Sequence, residues 1–89
     1  MSFPLGQILI TPGARDALAQ SGQTSGQFLA RNCACDWGEV SNATRDQNNQ
    51  ALVSGDRLHS IYSTSNGAKL WVITEADRSV TTLLLPDEY

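Results

Sequence analysis

Apolar positions follow two different spacings along this chain, and the change falls near residue 56. Between Thr11 and Gly55 they come in small groups, Ala14, Ala17 and Leu18 at helical spacing and then the short runs Phe28-Leu29-Ala30 and Ala51-Leu52-Val53. Thr11-Pro12 supplies a capping hydroxyl followed by proline at a first helical position, and Ser21-Gly22 supplies a stop, so a first helix of about two turns is predicted there. Thr24-Ser25-Gly26-Gln27 has the form of a capping box and opens a second short helix to about Asn32. A third and weaker helix is predicted from Ser41 or Asn42 to Gly55, with Asn48 and Asn49 lowering its propensity. In the connection between the last two, Asp36 and Gly38 suit a turn, and Trp37 is predicted to plug the edge of the core.

After Arg57 the chain turns β-prone. Residues 57–64, 69–75 and 80–85 are rich in β-branched and aromatic side chains and predict three antiparallel strands, with the short run 7–10 as an N-terminal strand or arm. A two-residue turn at Asn66-Gly67 would set Tyr62 opposite Trp71 and Ile61 opposite Val72, and a four-residue loop at 76–79 would set Val72 opposite Leu83 and Trp71 opposite Leu84. One face then collects Ile61, Leu70, Val72, Leu83 and Leu85, and the other Leu58, Tyr62, Trp71, Ile73, Val80 and Leu84. The helices are expected on the first. The second, with Tyr62, Trp71 and Leu84, is left for the segment around Phe3 and Leu5, a second copy of the chain, or another protein. The expected architecture is one α+β domain over residues 1–89: a short N-terminal strand or arm and two to three short helices packed on a three-stranded antiparallel meander.

Composition narrows the function classes. A hydrophobic fraction of 40 % and a charged fraction of 17 % are those of a folded domain. The net charge of −3 and the scatter of arginines at 15, 31, 45, 57 and 78 argue against direct nucleic-acid binding, which needs cations gathered on one face. The N-terminus lacks a secretory pattern and no stretch approaches a membrane span, so a cytoplasmic setting is expected. Cys33 and Cys35 are too close for an unstrained disulfide and lack further ligands for zinc; reduced thiols, no metal and no cofactor are expected.

Candidate chemistry is sparse. Glu75, Asp77 and Arg78 in the second strand connection place two carboxylates beside a guanidinium, a set able to clamp a partner's polar group. Together with Tyr62, Trp71 and Leu84 they form the predicted partner-binding set, and no residue is assigned a catalytic role. The rival class is a small metal-independent ribonuclease built on His59, Lys69 and Arg78, with Arg57 and Tyr62 nearby in sequence. The predicted register puts His59 and Arg57 on the face opposite Lys69 and Tyr62. A third reading is a regulator that self-associates through the Trp71 face.

The pattern Asp36-Trp37-Gly38, Asn48-x-x-Ala51-Leu52, Gly55-x-Arg57-Leu58-x-Ser60-x-Tyr62, and then Trp71 through Ser79 and Leu85-Pro86-x-Glu88-Tyr89 resembles a group of small bacterial plasmid-related proteins met on mobile elements. The likeness runs from about Phe3 to Tyr89. It departs from the group's pattern at Cys35, where glycine is usual, and at Asn49, where an acid is usual. The resemblance implies a mobile-element setting and a complete protein, and supplies no activity or catalytic residue. With the apolar second face, it leads to the expectation of a non-enzymatic accessory protein that docks on a larger host complex, one concrete form being an inhibitor of a defence complex such as a CRISPR effector.

Overall fold

In the computed structural model, which describes residues 3–89, a short strand β1 (Gln7–Ile10) leads into three helices, α1 (Pro12–Ser21), α2 (Ser25–Cys33) and α3 (Asn42–Ser54). The chain then forms β2 (Leu58–Ser63), β3 (Lys69–Thr74) and β4 (Val80–Leu84) and ends in a 3₁₀ turn at Pro86–Glu88. The fold is α+β, as expected. Its sheet is four-stranded and mixed, in the order β1-β4-β3-β2, because β1 joins the meander in parallel with β4.

The helices begin and end on local chemistry. Thr11 Oγ1 accepts from the Ala14 amide at 3.2 Å, Gln27 returns its side-chain oxygen to the Thr24 amide at 3.0 Å, and Ser41 Oγ accepts from the Thr44 amide at 3.1 Å. Helix α1 runs to ten residues, longer than its narrow apolar stripe suggests. Helix α2 ends in a left-handed turn in which the Cys35 amide bonds Asn32 O and the Asp36 amide bonds Arg31 O, and Cys35 itself carries the positive φ of 65° that glycine usually supplies.

The register between β3 and β4 is the predicted one, with Trp71 opposite Leu84 and Val72 opposite Leu83. Between β2 and β3 it is displaced by one residue: Tyr62 lies opposite Leu70 and Ile61 opposite Trp71. The connecting loop holds three residues rather than two. Thr64 N–H bonds Ala68 O, Gly67 N–H returns to Thr64 O, and Gly67 alone takes the left-handed conformation, at φ 84°. Asn66 is engaged elsewhere, donating its side-chain amide to Gln20 O at the end of α1. The odd loop turns every β2 side chain to the face opposite the predicted one.

Leu58, Ser60 and Tyr62 therefore join Leu70, Val72, Thr74, Thr81 and Leu83 under the helices, all buried. Two apolar clusters form on that side. One gathers Ala14, Leu18 and Phe28 over Tyr62, Leu70, Val72 and Leu83. The other gathers Phe3, Trp37 and Ala51 around Leu58, so Phe3 packs on the helical side and does not cover the opposite face. Trp37 is buried as expected, stacked on Phe3 with ring centroids 6.1 Å apart, and its Nε1 donates to Asn49 Oδ1 at 3.1 Å.

A chain of buried polar groups runs across the same side. Ser60 donates to Asn32 Oδ1 at 2.7 Å, Asn32 Nδ2 donates to Thr74 Oγ1 at 3.2 Å, Thr74 and Thr81 share a bond of 2.9 Å, and Thr81 donates to Leu5 O at 2.7 Å. All four side chains are buried, and each has a partner, which removes the penalty of placing them there. The chain ties α2, three strands and the N-terminal arm into one unit.

The outer edge of β2 is closed by two devices. Ile61 N–H bonds Trp37 O and Ile61 O accepts from Glu39 N–H, so residues 37–39 act as a fragment of a further strand. One step along, the buried Asn48 accepts from His59 N–H at 3.1 Å and donates to His59 O at 2.8 Å. Asn48 weakens helix propensity in order to supply this peptide-like contact. Gly38 makes the close approach possible: at φ 76° its missing Cβ would overlap the Ile61 carbonyl and stand 2.6 Å from the Tyr62 ring. Gly38→Ala is expected to destabilise the protein by about 2–4 kcal/mol, whereas Cys35→Gly relieves a left-handed residue and should stabilise it by roughly 1 kcal/mol, both read from urea denaturation midpoints.

Candidate functional site

The face without helices carries His59, Ile61 and Ser63 from β2, Lys69, Trp71 and Ile73 from β3, Val80, Thr82 and Leu84 from β4, and Leu9 from β1. Among the described residues, the chain's last residues lie over part of it. Glu88 Oε1 accepts from Thr11 Oγ1 at 2.5 Å and from the Leu85 amide at 2.8 Å, and Oε2 accepts from the Gly13 amide at 3.0 Å. The Thr11 hydroxyl and these amides hold the Glu88 carboxyl below the usual carboxylate range. Pinned in this way, the tail lays Tyr89 edge-on against Trp71 at 5.6 Å, and the Tyr89 hydroxyl accepts from Arg57 Nη1 at 2.9 Å.

Trp71 also meets His59, ring centroids 4.6 Å apart, so that both His59 and Tyr89 make ring contacts with it. Ile73 and Leu84 on this face are buried, while Trp71 and Ile61 keep part of their surface and Leu9 and Tyr89 are exposed. The His59 Nε2 atom is buried with no hydrogen-bond partner among the described residues. Burial, reinforced by the charge of Arg57, holds the imidazole below its usual range, so a neutral ring is favoured in the folded protein.

Of the predicted partner-binding residues, Trp71 stands on this face and partly open. Tyr62 does not: the one-residue shift of register sends it under the helices, where it is fully buried and its hydroxyl donates to Asp36 O at 2.6 Å. Burial pushes the Tyr62 phenol up to about 12. Leu84 is on the predicted face but only 6 % exposed, so it supports the surface without presenting itself.

The 75–79 turn is satisfied within the molecule. Asp77 accepts from both the amide and the hydroxyl of Ser79, which hold its carboxyl low, and Glu75 pairs with Arg57 at 3.5 Å. Arg78 points inward. Its Nη1 donates to the carbonyls of Asp56, Glu75 and Ala76 and its Nη2 to that of Ala51, while the guanidinium lies 5.7 Å from the centre of the Phe3 ring. It fastens the turn to the end of α3, and these bonds offset the cost of its own left-handed backbone at φ 62°. Sequence alone read a cation beside two acids as a clamp, because nothing local shows four carbonyls converging on it.

The residues named for phosphate chemistry stay apart, for a different reason from the predicted one. His59 and Lys69 share a face, since Lys69 lies opposite Ser63, but they stand at opposite ends of β2, about 13 Å apart at the rise of a strand. Lys69 pairs with Glu39, Arg78 is committed to its carbonyls, and Tyr62 lies on the other side of the sheet. Among the described residues, no group of three His, Cys, Asp or Glu side chains is placed to hold a metal ion, the two cysteines are not joined, and no helix is long and apolar enough to cross a membrane.

Sequence reasoning missed Leu9, His59, Ile61 and Tyr89 as parts of the open face. A signal existed only for Tyr89, an aromatic at the end of an acidic tail; the face of His59 depended on a loop length. Comparison of the chain with protein-family models, curated proteins and solved structures finds no match.

The neutral His59 has a measurable consequence. Its folded pKa lies below the unfolded value, so the unfolded chain takes up more protons, and stability that is complete above about pH 6.5 is lost as the pH falls through the folded pKa. The urea midpoint should drop between about pH 7.5 and pH 5, above the range where the depressed carboxylates titrate, and His59→Phe should flatten that portion of the profile.

Proposed function

We propose that this chain is a non-enzymatic protein-binding protein of a mobile genetic element, acting in the cytoplasm, that docks on a larger host complex through the helix-free face of its sheet. The observation that carries the reading is a sheet face left without a helical layer, with a partly exposed Trp71 at its centre, Ile61 and Tyr89 beside it and Leu9 at its margin. An aromatic anchor on an apolar bed, with Lys69 and Ser63 at the rim, has the make-up of an interface core. The rigidity of the bed supports the same reading. Ile73 and Leu84 are fixed by burial and the edge of β2 is sealed, so the surface is formed before a partner arrives.

The Glu75, Asp77 and Arg78 turn lies outside the proposed surface because its polar groups are already used. The mobile-element setting rests on the resemblance in the C-terminal third, and inhibition of a defence complex such as a CRISPR effector is the form in which it is most directly tested. In cells carrying such a system, expression of the protein should protect a targeted plasmid. Trp71→Glu should abolish that protection with the fold retained by circular dichroism, and Val53→Glu, at an 86 % exposed position on α3, should leave it intact. Equal protection by the Trp71→Glu and wild-type proteins would remove the docking face from consideration.

A further inference from the structure

The two edges of the sheet are finished differently. The outward-facing groups of β2 at His59 and Ile61 are all met from within the molecule. Among the described residues, those of β1 are not. Gln7 N–H donates to Ser79 O at 2.8 Å and Thr11 N–H to Leu83 O at 3.0 Å. By the alternation of a parallel ladder Leu9 also faces β4, and the amide and carbonyl of both Ile8 and Ile10 point away from the sheet. Ile8 and Leu9 project to opposite sides and are both exposed, at 37 % and 45 %, so cover from either side stops short of this strand. No charged side chain or proline lies within residues 7–10 to blunt the edge.

We propose that β1 is a self-pairing edge, through which two copies of this chain join antiparallel about a two-fold axis at Leu9, continuing the sheet from one copy into the other. In that register Ile8 of each copy faces Ile10 of the other and exchanges both of its hydrogen bonds with it. All four outward groups of each copy are then satisfied. The flanking residues select this register over its neighbours. Shifting by two residues one way pairs Ile10 with Gly6, whose φ of 65° takes it out of strand conformation; shifting the other way pairs Ile8 with Pro12, which has no N–H to give.

Self-complementarity points to a second copy as the occupant, since about the Leu9 axis each outward amide of the strand meets an outward carbonyl of the same strand. Two chains of net charge −3 repel overall, and this uncharged strand is the part of the sheet where they can approach without setting like charges opposite each other. A contact of four residues on each side falls below the roughly 1,200 Å² of a standard interface, so the dimer is weak and forms with a Kd of about 0.1–1 mM.

Because the axis passes through Leu9, each Leu9 lies directly opposite its copy, and the test uses that identity. Wild-type protein should show a mass rising toward the dimer in sedimentation equilibrium as its concentration approaches about 1 mM, with amide exchange at Ile8 and Ile10 slowing in parallel. Leu9→Lys and Leu9→Glu, at an exposed position where folding should persist, should each weaken association by about tenfold or more, and an equimolar mixture of the two should restore it at low salt. Trp71→Glu should leave association unchanged, which separates this edge from the docking face. The proposal is overturned if the wild-type protein stays monomeric over this range, if either single variant associates like wild type, or if the folded variants fail to recombine.

Discussion

Because Gly67 takes the left-handed position in the loop between β2 and β3, three residues and not two separate those strands, and every side chain of β2 is committed to one face by that count. Tyr62 and Leu58 go inward to the two apolar clusters, Ser60 goes inward to Asn32, and His59 and Ile61 go outward beside Trp71. The loop is held in this form from outside. Ser65 takes a bond from its amide to Gln23 Oε1 and Asn66 caps Gln20 O, so the end of α1 and the hairpin fix one another.

With β2 set in this way, the molecule closes one edge and one face and leaves the other of each. The closed edge depends on peptide-like mimicry by residues 37–39 and Asn48, which a glycine at 38 permits. The closed face depends on a polar chain as well as on grease: Ser60, Asn32, Thr74 and Thr81 lie where Leu58 and Tyr62 flank them, and their mutual bonds specify how α2 sits over the strands more narrowly than apolar contact would. The open face is bedded on Ile73 and Leu84 and trimmed by Tyr89, whose position follows from the grip of Glu88 on the start of α1. The arrangement therefore presents Trp71 on a stiff support.

Much of this is legible in the amino-acid sequence. The three helices start at the hydroxyl and proline signals and two of them stop at glycine, the strands fall where β-branched residues cluster, and the 76–79 loop predicts the pairing of Trp71 with Leu84, because each of these depends on residues near one another in the chain.

What local pattern could not decide was set by groups far apart in sequence. An Asn-Gly step supports a two-residue or a three-residue loop, and α1 chose between them by capturing Asn66. Arg78 reads as a surface cation until the carbonyls of Ala51 and Asp56 join two from its own turn around it, Asn48 as a helix weakener until His59 lies alongside, and Gln7–Ile10 as a strand or arm without a partner until β4 pairs with it. The amino-acid sequence by itself determined the elements and their order, since propensity and capping act over a few residues. Only the tertiary structure decided which face of β2 is buried, which charges are spent and which edge stays open, since hydrogen bonds between distant segments made those choices.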